Sequence, residues 1–147
     1  MYQVKFDNPV HVYFIGIGGI SMSGLAEILL DKNFTVSGSD MKQSELTDLL
    51  IKKGATIFYG QRYENITDDI DVIVYTSAIK EDNPEWQAMV DKKIPTLSRA
   101  QLLGQLMKNY ELPVAISGTH GKTTTTSMIS EILLEADTDP TLSIGGI

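Results

Sequence analysis

The sequence predicts an α/β protein built on a parallel sheet with helices on both faces. Two observations carry that expectation. Apolar runs of strand length alternate with segments of helical spacing along the chain, which is the sequence form of repeated βαβ units. The first apolar run leads straight into a glycine turn and then a helical segment, VHVYFIGIGGISMSG from Val10 to Gly24, the order in which such a sheet presents a phosphate site.

Six strands are expected, in order His11 to Ile15, Thr35 to Gly38, Thr56 to Tyr59, Val72 to Thr76, Thr96 to Leu97 and Val114 to Ser117. Each is a short run of apolar, β-branched or aromatic residues bounded by turn formers. Between them Ser21 to Lys32, Ser44 to Lys53, Pro84 to Asp91, Arg99 to Lys108 and Lys122 to Glu135 carry amphipathic helical spacing. Gly54-Ala55 ends the second helix, and Asn83-Pro84 favours a start at Pro84, where proline's missing N–H costs nothing. The polar stretch Lys108 to Pro113, KNYELP, separates the fifth helix-like segment's predecessor from a fresh strand and marks an expected domain boundary, with residues 1–108 before it and 109–147 after. One strand and one helix are too little to cover a parallel sheet, so the second part is expected to be the truncated start of a further domain.

Composition narrows the class. The 147 residues suffice for one domain plus a fragment, and no stretch reaches the roughly 18 apolar residues that a membrane-spanning helix needs. MYQVKFDNP has no basic region followed by a long apolar run, so a soluble, cytoplasmic protein is expected. With no cysteine there are no disulfides or thiolate metal sites. A net charge of −7 argues against a general nucleic-acid or membrane-surface binder, which needs basic patches, but leaves a nucleotide ligand open, because backbone N–H groups and one local cation can hold a phosphate.

In the first loop Gly16 permits the tight turn and Gly18 lets the backbone approach a diphosphate at the positive end of the following helix. The third fingerprint position holds Ser21 instead of glycine. Asp40, at the end of SGSD, stands where a carboxylate accepts from ribose hydroxyls. The frame is Rossmann-like. These residues alone do not separate NAD from another diphosphate nucleotide, nor do they remove the bland alternative of a glycine turn without a ligand.

The second loop, SGTHGKTTTTSM from Ser117 to Met128, is a shortened P-loop: two residues, Thr119 and His120, separate Gly118 from Gly121-Lys122, where the Walker pattern has four. Its physics still serves a nucleotide. Successive N–H groups form an anion-binding concavity, Lys122 adds a cation for the β and γ phosphates, and Thr123 offers a hydroxyl to Mg²⁺. His120 reads as an exposed loop residue, because no carboxylate is placed beside it in sequence.

These two loops in this order resemble the Mur ligase family. The likeness spans the whole chain and rests on GIGGISMSGLAEIL from Gly16 to Leu29, VSGSD, TSAI from Thr76 to Ile79, SRAQLLGQLM from Ser98 to Met107, GTHGKTTTT and the closing DPTLSIGG. It implies a Rossmann-like domain for UDP-N-acetylmuramate followed by the start of a P-loop ATPase domain. It implies an ATP-dependent ligase acting through an acyl phosphate in peptidoglycan precursor synthesis, with L-alanine as the amino acid in the branch the first loop favours. By motif position Gly16, Gly18, Gly19 and Ser21 would meet the diphosphate, Asp40 the ribose or uracil side, and Ser77 the nucleotide. Gly118, Thr119, His120, Gly121, Lys122, Thr123 and Thr124 would cradle ATP and Mg²⁺, with Lys122 catalytic and Thr123 the metal ligand. The fragment alone is expected to be inactive. Ser21 and Gln61 depart from the family, which commonly has glycine and histidine there. A peptide-recycling ligase acting on the same nucleotide sugar, and a non-catalytic NAD or nucleotide-binding module, are the alternatives.

Other residues have plainer readings. Arg99 in SRAQ could reach a phosphate or carboxylate, or be a surface residue at a helix start. Trp86 is expected to pack its helix on the sheet, the methionines to fill the core, and His11 to open a strand. Asp68, Asp69 and Asp71 lack the spacing of a calcium loop and read as a solvated turn.

Overall fold

In a computed structural model the described residues are 1–110, so the second loop, the strand expected from Val114 and the helix expected from Lys122 lie outside them. The described chain runs β1 (His11–Ile15), α1 (Ile20–Asp31), β2 (Thr35–Asp40), α2 (Glu45–Lys52), β3 (Thr56–Tyr59), a 3₁₀ turn (Tyr63–Asn65), β4 (Val72–Tyr75), α3 (Pro84–Asp91), β5 (Thr96–Ser98) and α4 (Arg99–Met107). All strand pairings are parallel, in the order β3-β2-β1-β4-β5.

The helix starts follow their caps. Ser44 and Ser98 are N-caps, each accepting from the backbone N–H three residues on, with Thr47 and Gln101 reaching back to close capping boxes. Ser44 therefore stands just outside α2, one residue later than the helical spacing implied. Asn83 caps α3 through its side chain, with Pro84 in the first turn. Gly54, at φ 112°, ends α2 in a conformation that disfavours side chains. The largest difference from expectation is β2, which runs two residues beyond Gly38. Ser39 pairs with Ile15 and Phe58, and Asp40 with Tyr59, so the sheet on both sides holds residues of weak intrinsic strand preference.

Period-two alternation divides the strands between two cores. Val12, Phe14, Val36, Val72, Val74 and Leu97 face one side, under Leu25 and Leu29 of α1, Leu50 of α2 and Leu102 and Leu106 of α4. Tyr13, Ile15 and Ile73 face the other, with Ile66 and with Ala88 and Met89 of α3. Both faces are thus covered, as a parallel sheet requires. An N-terminal strap is tied across the base: the Asn109 side chain accepts from Phe6 N–H at 2.9 Å and donates to the Val4 carbonyl at 3.0 Å. No helix among the described residues is long and apolar enough to cross a membrane.

Successive connections move outward in opposite directions from β1, so the strand order reverses between β1 and β4. Their carboxyl ends diverge there, which opens a crevice where such sheets bind ligands.

Candidate functional site

The first loop leaves β1 at this reversal. Gly16 has φ 85°, and its N–H and that of Ile17 both donate to the Ser39 carbonyl, at 2.8 and 2.9 Å. Gly18 N–H donates to Asp40 Oδ2 at 2.7 Å. A Cβ at Gly18 would lie 2.7 Å from that oxygen and 3.0 Å from Thr47 Cγ2, so any side chain here forces Asp40 to shift. Asp40 Oδ1 accepts from Met41 N–H at 2.7 Å, so two of the roughly four acceptor positions of its carboxylate serve the backbone.

Gly19, the N-cap of α1, has extended backbone (φ −63°, ψ 152°), no side chain to cap the helix, and no acidic residue in the turn after it. The helix thus supplies no acid of its own to its positive end, where the carboxylate at hand is that of Asp40, on Gly18 N–H. Arg99 reaches the same place: its Nη1 donates to Ser21 Oγ at 3.1 Å. It comes from the first position of α4, directly after β5, where the capping box fixes the turn. Among the described residues no carboxylate lies within ion-pairing distance of it. A guanidinium beside the positive end of a helix is unfavourable by itself, and an anion held between them makes both charges favourable.

Beside the loop lies a cleft of about 460 Å³ at the ends of β1 and β4, bordered by Gly16, Thr76 and Ala78 and, across from them, Gln61 and Asn83. The volume suits a nucleotide-sized ligand. Gln61 is held by the Asn83 side-chain amide, which donates to its Oε1. Ser77 is exposed in the turn after β4, between two residues that line the cleft. A second cleft, of about 400 Å³ between the N-terminal strap and the end of α4, contains none of the loop residues.

Gly16, Gly18, Gly19, Ser21 and Asp40 thus come together at one end of the sheet, with Ser77 on the cleft rim. Gly118, Thr119, His120, Gly121, Lys122, Thr123 and Thr124 lie outside the described residues. Arg99, which sequence left between a ligand role and a surface role, reaches Ser21 in the first turn of α1, and no local sequence signal joins the two residues. Asn83 and Glu85 were not picked out as functional. His11 is away from the loop, with Nε2 2.7 Å from Ser37 Oγ and Nδ1 3.3 Å from Asp69. The acidic turn is exposed to solvent at Asp68, Asp69 and Asp71, as expected, while Asp71 accepts from His11 N–H at 2.8 Å and Asp68 lies 3.4 Å from Lys92. The Asp69 carboxyl is lowered, chiefly by the Thr67 hydroxyl and further by the nearby His11. Among the described residues no group of three or more His, Asp or Glu could hold a metal ion. Trp86 is half-buried, edge-on to Tyr75 at 5.5 Å.

A model of the Mur ligase family, catalytic domain, matches residues 11–111. The chain belongs to the Mur ligase family. Among curated Mur ligases it is 62% identical, over all 147 of its residues, to the UDP-N-acetylmuramate--L-alanine ligase of Agathobacter rectalis, of which it covers 32%. The chain thus spans about a third of the length of the curated relatives it matches. Among solved structures it is similar to the UDP-N-acetylmuramate-alanine ligase MurC of Thermotoga maritima, with a TM-score of 0.84 and 34% identity over 93% of this chain and 32% of that one. It is also similar to the UDP-N-acetylmuramate:L-alanyl-gamma-D-glutamyl-meso-diaminopimelate ligase of Neisseria meningitides, with a TM-score of 0.85 and 31% identity over 95% of this chain and 44% of that one. The parallel α/β sheet is therefore the Rossmann-like N-terminal part of a Mur ligase.

Proposed function

We propose that this chain is the UDP-N-acetylmuramate-binding part of an ATP-dependent ligase that adds L-alanine to that nucleotide sugar in peptidoglycan precursor synthesis. The observation that carries the reading is the Arg99 guanidinium on Ser21 Oγ, at the uncapped end of α1 and beside the strand-reversal crevice. Two phosphates there would be met by the N–H groups of the first turn of α1 and a fixed cation, because the N–H groups of Gly16 to Gly19 already bond within the protein. Asp40 keeps acceptor capacity for a ribose hydroxyl, and the cleft between Thr76 and Gln61 offers room for the remainder of the ligand. The names of the similar proteins support the sugar: both the alanine-adding and the peptide-adding ligases carry UDP-N-acetylmuramate in theirs. Curated relatives at 57 to 62% identity carry the name UDP-N-acetylmuramate--L-alanine ligase, which favours alanine over the recycling reaction.

In this reading residues 1–108 are the nucleotide-sugar domain and 109–147 begin the ATP-binding domain. Gly118 to Thr124 would hold ATP, Lys122 would neutralise the transferring phosphoryl group, and Thr123 would ligate Mg²⁺. ATP supplies the phosphoryl group that activates the sugar's carboxylate as an acyl phosphate, from which the alanine amine displaces phosphate to form the amide. The described residues contribute binding and orientation: they fix the nucleotide end so that the carboxylate is presented away from the sheet in a defined position. Work on a nucleotide precursor supports a cytoplasmic location.

The test is a thermal shift of this chain with UDP-N-acetylmuramate and, separately, NAD. A ligand at about a hundred times its dissociation constant adds about 2.7 kcal/mol, a readily measured shift. The uridine compound is expected to stabilise the fold and NAD to leave it unchanged.

A further inference from the structure

Behind the loop lies a carboxylate that the binding scheme above leaves without a role. Glu85, in the first turn of α3, is completely buried, and among the described residues no cation pairs with it. Three side chains donate to it instead: Tyr13 Oη to Oε2 at 2.6 Å, Asn65 Nδ2 to Oε2 at 2.8 Å, and Ser39 Oγ to Oε1 at 2.5 Å. A buried carboxylate without a counter-ion is costly, so what its donors do elsewhere is informative.

Each donor leads back to the loop. Ser39 is the residue whose carbonyl receives both Gly16 N–H and Ile17 N–H. Asn65 also donates to the Gly60 carbonyl at 3.0 Å, and Gly60 N–H donates to the Asp40 carbonyl at 2.9 Å, while the Asp40 side chain holds Gly18. Tyr13 stands on β1, just before the turn. Strand pairing alone would keep Ser39 beside Ile15, and the bond from Ser39 Oγ to Glu85 adds a fixed orientation for the residue on which the loop hangs.

We propose that Glu85 is the positioning residue of the first loop: acting through Ser39, it sets where Gly16 and Ile17 turn into α1, and so sets the affinity for a nucleotide diphosphate. This rests on the diphosphate reading above. Glu85→Gln separates the contributions. A glutamine carbonyl can replace Oε2 and keep Tyr13 and Asn65, while its amide can only donate to Ser39 Oγ, so the charge-assisted bond from Ser39 is lost and a neutral bond of opposite sense stands in its place.

The test is calorimetric binding of UDP-N-acetylmuramate to this chain as wild type, E85Q, S39A and the double variant, with the melting temperature of each. Each single change is expected to weaken binding about tenfold, the size of one well-placed hydrogen bond to a charged group, and the double change also about tenfold, because both remove the same link. Single variants that melt earlier but bind as tightly as wild type would reduce Glu85 to a stabilising residue and overturn the proposal. So would a double variant about a hundredfold weaker, which would mean independent action. If E85Q does not fold, S39A decides, with unchanged affinity as the contrary result. A wild-type chain that takes up no nucleotide sugar overturns the diphosphate reading and this assignment with it.

Discussion

Gly18→Ala tests the internal logic of the loop. The backbone at Gly18 is not in the left-handed region, which among the described glycines is occupied by Gly16, Gly54 and Gly60, so alanine escapes the left-handed penalty there. Its cost is collision. The new Cβ would lie 2.7 Å from Asp40 Oδ2, against an ordinary contact of 3.4 Å or more, so the carboxylate must retreat by about 0.7 Å, the difference between those two distances. That movement breaks the 2.7 Å bond from Gly18 N–H. A hydrogen bond to a charged, half-exposed acceptor contributes about 1 to 2 kcal/mol, and residual crowding against Thr47 about 1 more. The expected loss is about 2 to 3 kcal/mol, or about 10 °C in melting temperature for a domain of this size. Asp40→Ala alone forfeits the same bond but opens the space. The double variant should therefore be about 1 to 2 kcal/mol more stable than the sum of the single effects. Urea denaturation of all four proteins gives the coupling. Additivity within about 0.5 kcal/mol would show that Asp40 is not what demands glycine at this position.

Two further outcomes follow from the same geometry. Arg99→Ala should weaken UDP-N-acetylmuramate binding about ten- to a hundredfold by calorimetry, as the loss of a charge-assisted contact, while the melting temperature of the free chain changes little. Tyr13 titrates high, first because it is buried and then because its phenol bonds the Glu85 carboxylate, so its contribution to stability is complete below the ordinary phenol value near 10 and is lost as pH rises toward the higher folded value. Tyr13→Phe should therefore be about 1 to 3 kcal/mol less stable than wild type at pH 7, with the gap closing by about 1 kcal/mol between pH 10 and 11 in paired urea titrations.

Much of the frame was legible because local signals and tertiary needs agree. HVYFI is largely apolar, is followed by glycine and precedes helical spacing, and that coincidence located both the first strand and the loop. The end of β2 was not legible, since Ser39 and Asp40 have little strand preference and are held by Ile15, Phe58 and Tyr59 from neighbouring strands. Arg99 is 78 residues from Ser21, and only the placement of β5 beside β4 brings it to α1. Glu85 reads in sequence as a favourable acid in a first helical turn. Its burial depends on Tyr13 and Ser39 presenting hydroxyls on the same sheet face, which no local pattern reveals. The shortened P-loop was the most specific sequence motif, and it lies outside the described residues.

Whether the first loop receives the diphosphate of a sugar nucleotide is tested most directly by melting this chain across parallel titrations of UDP-N-acetylmuramate and NAD. A saturable rise with the uridine compound, unaffected by excess NAD, is the expected result. A rise with NAD that the uridine compound neither produces nor competes away would contradict the assignment.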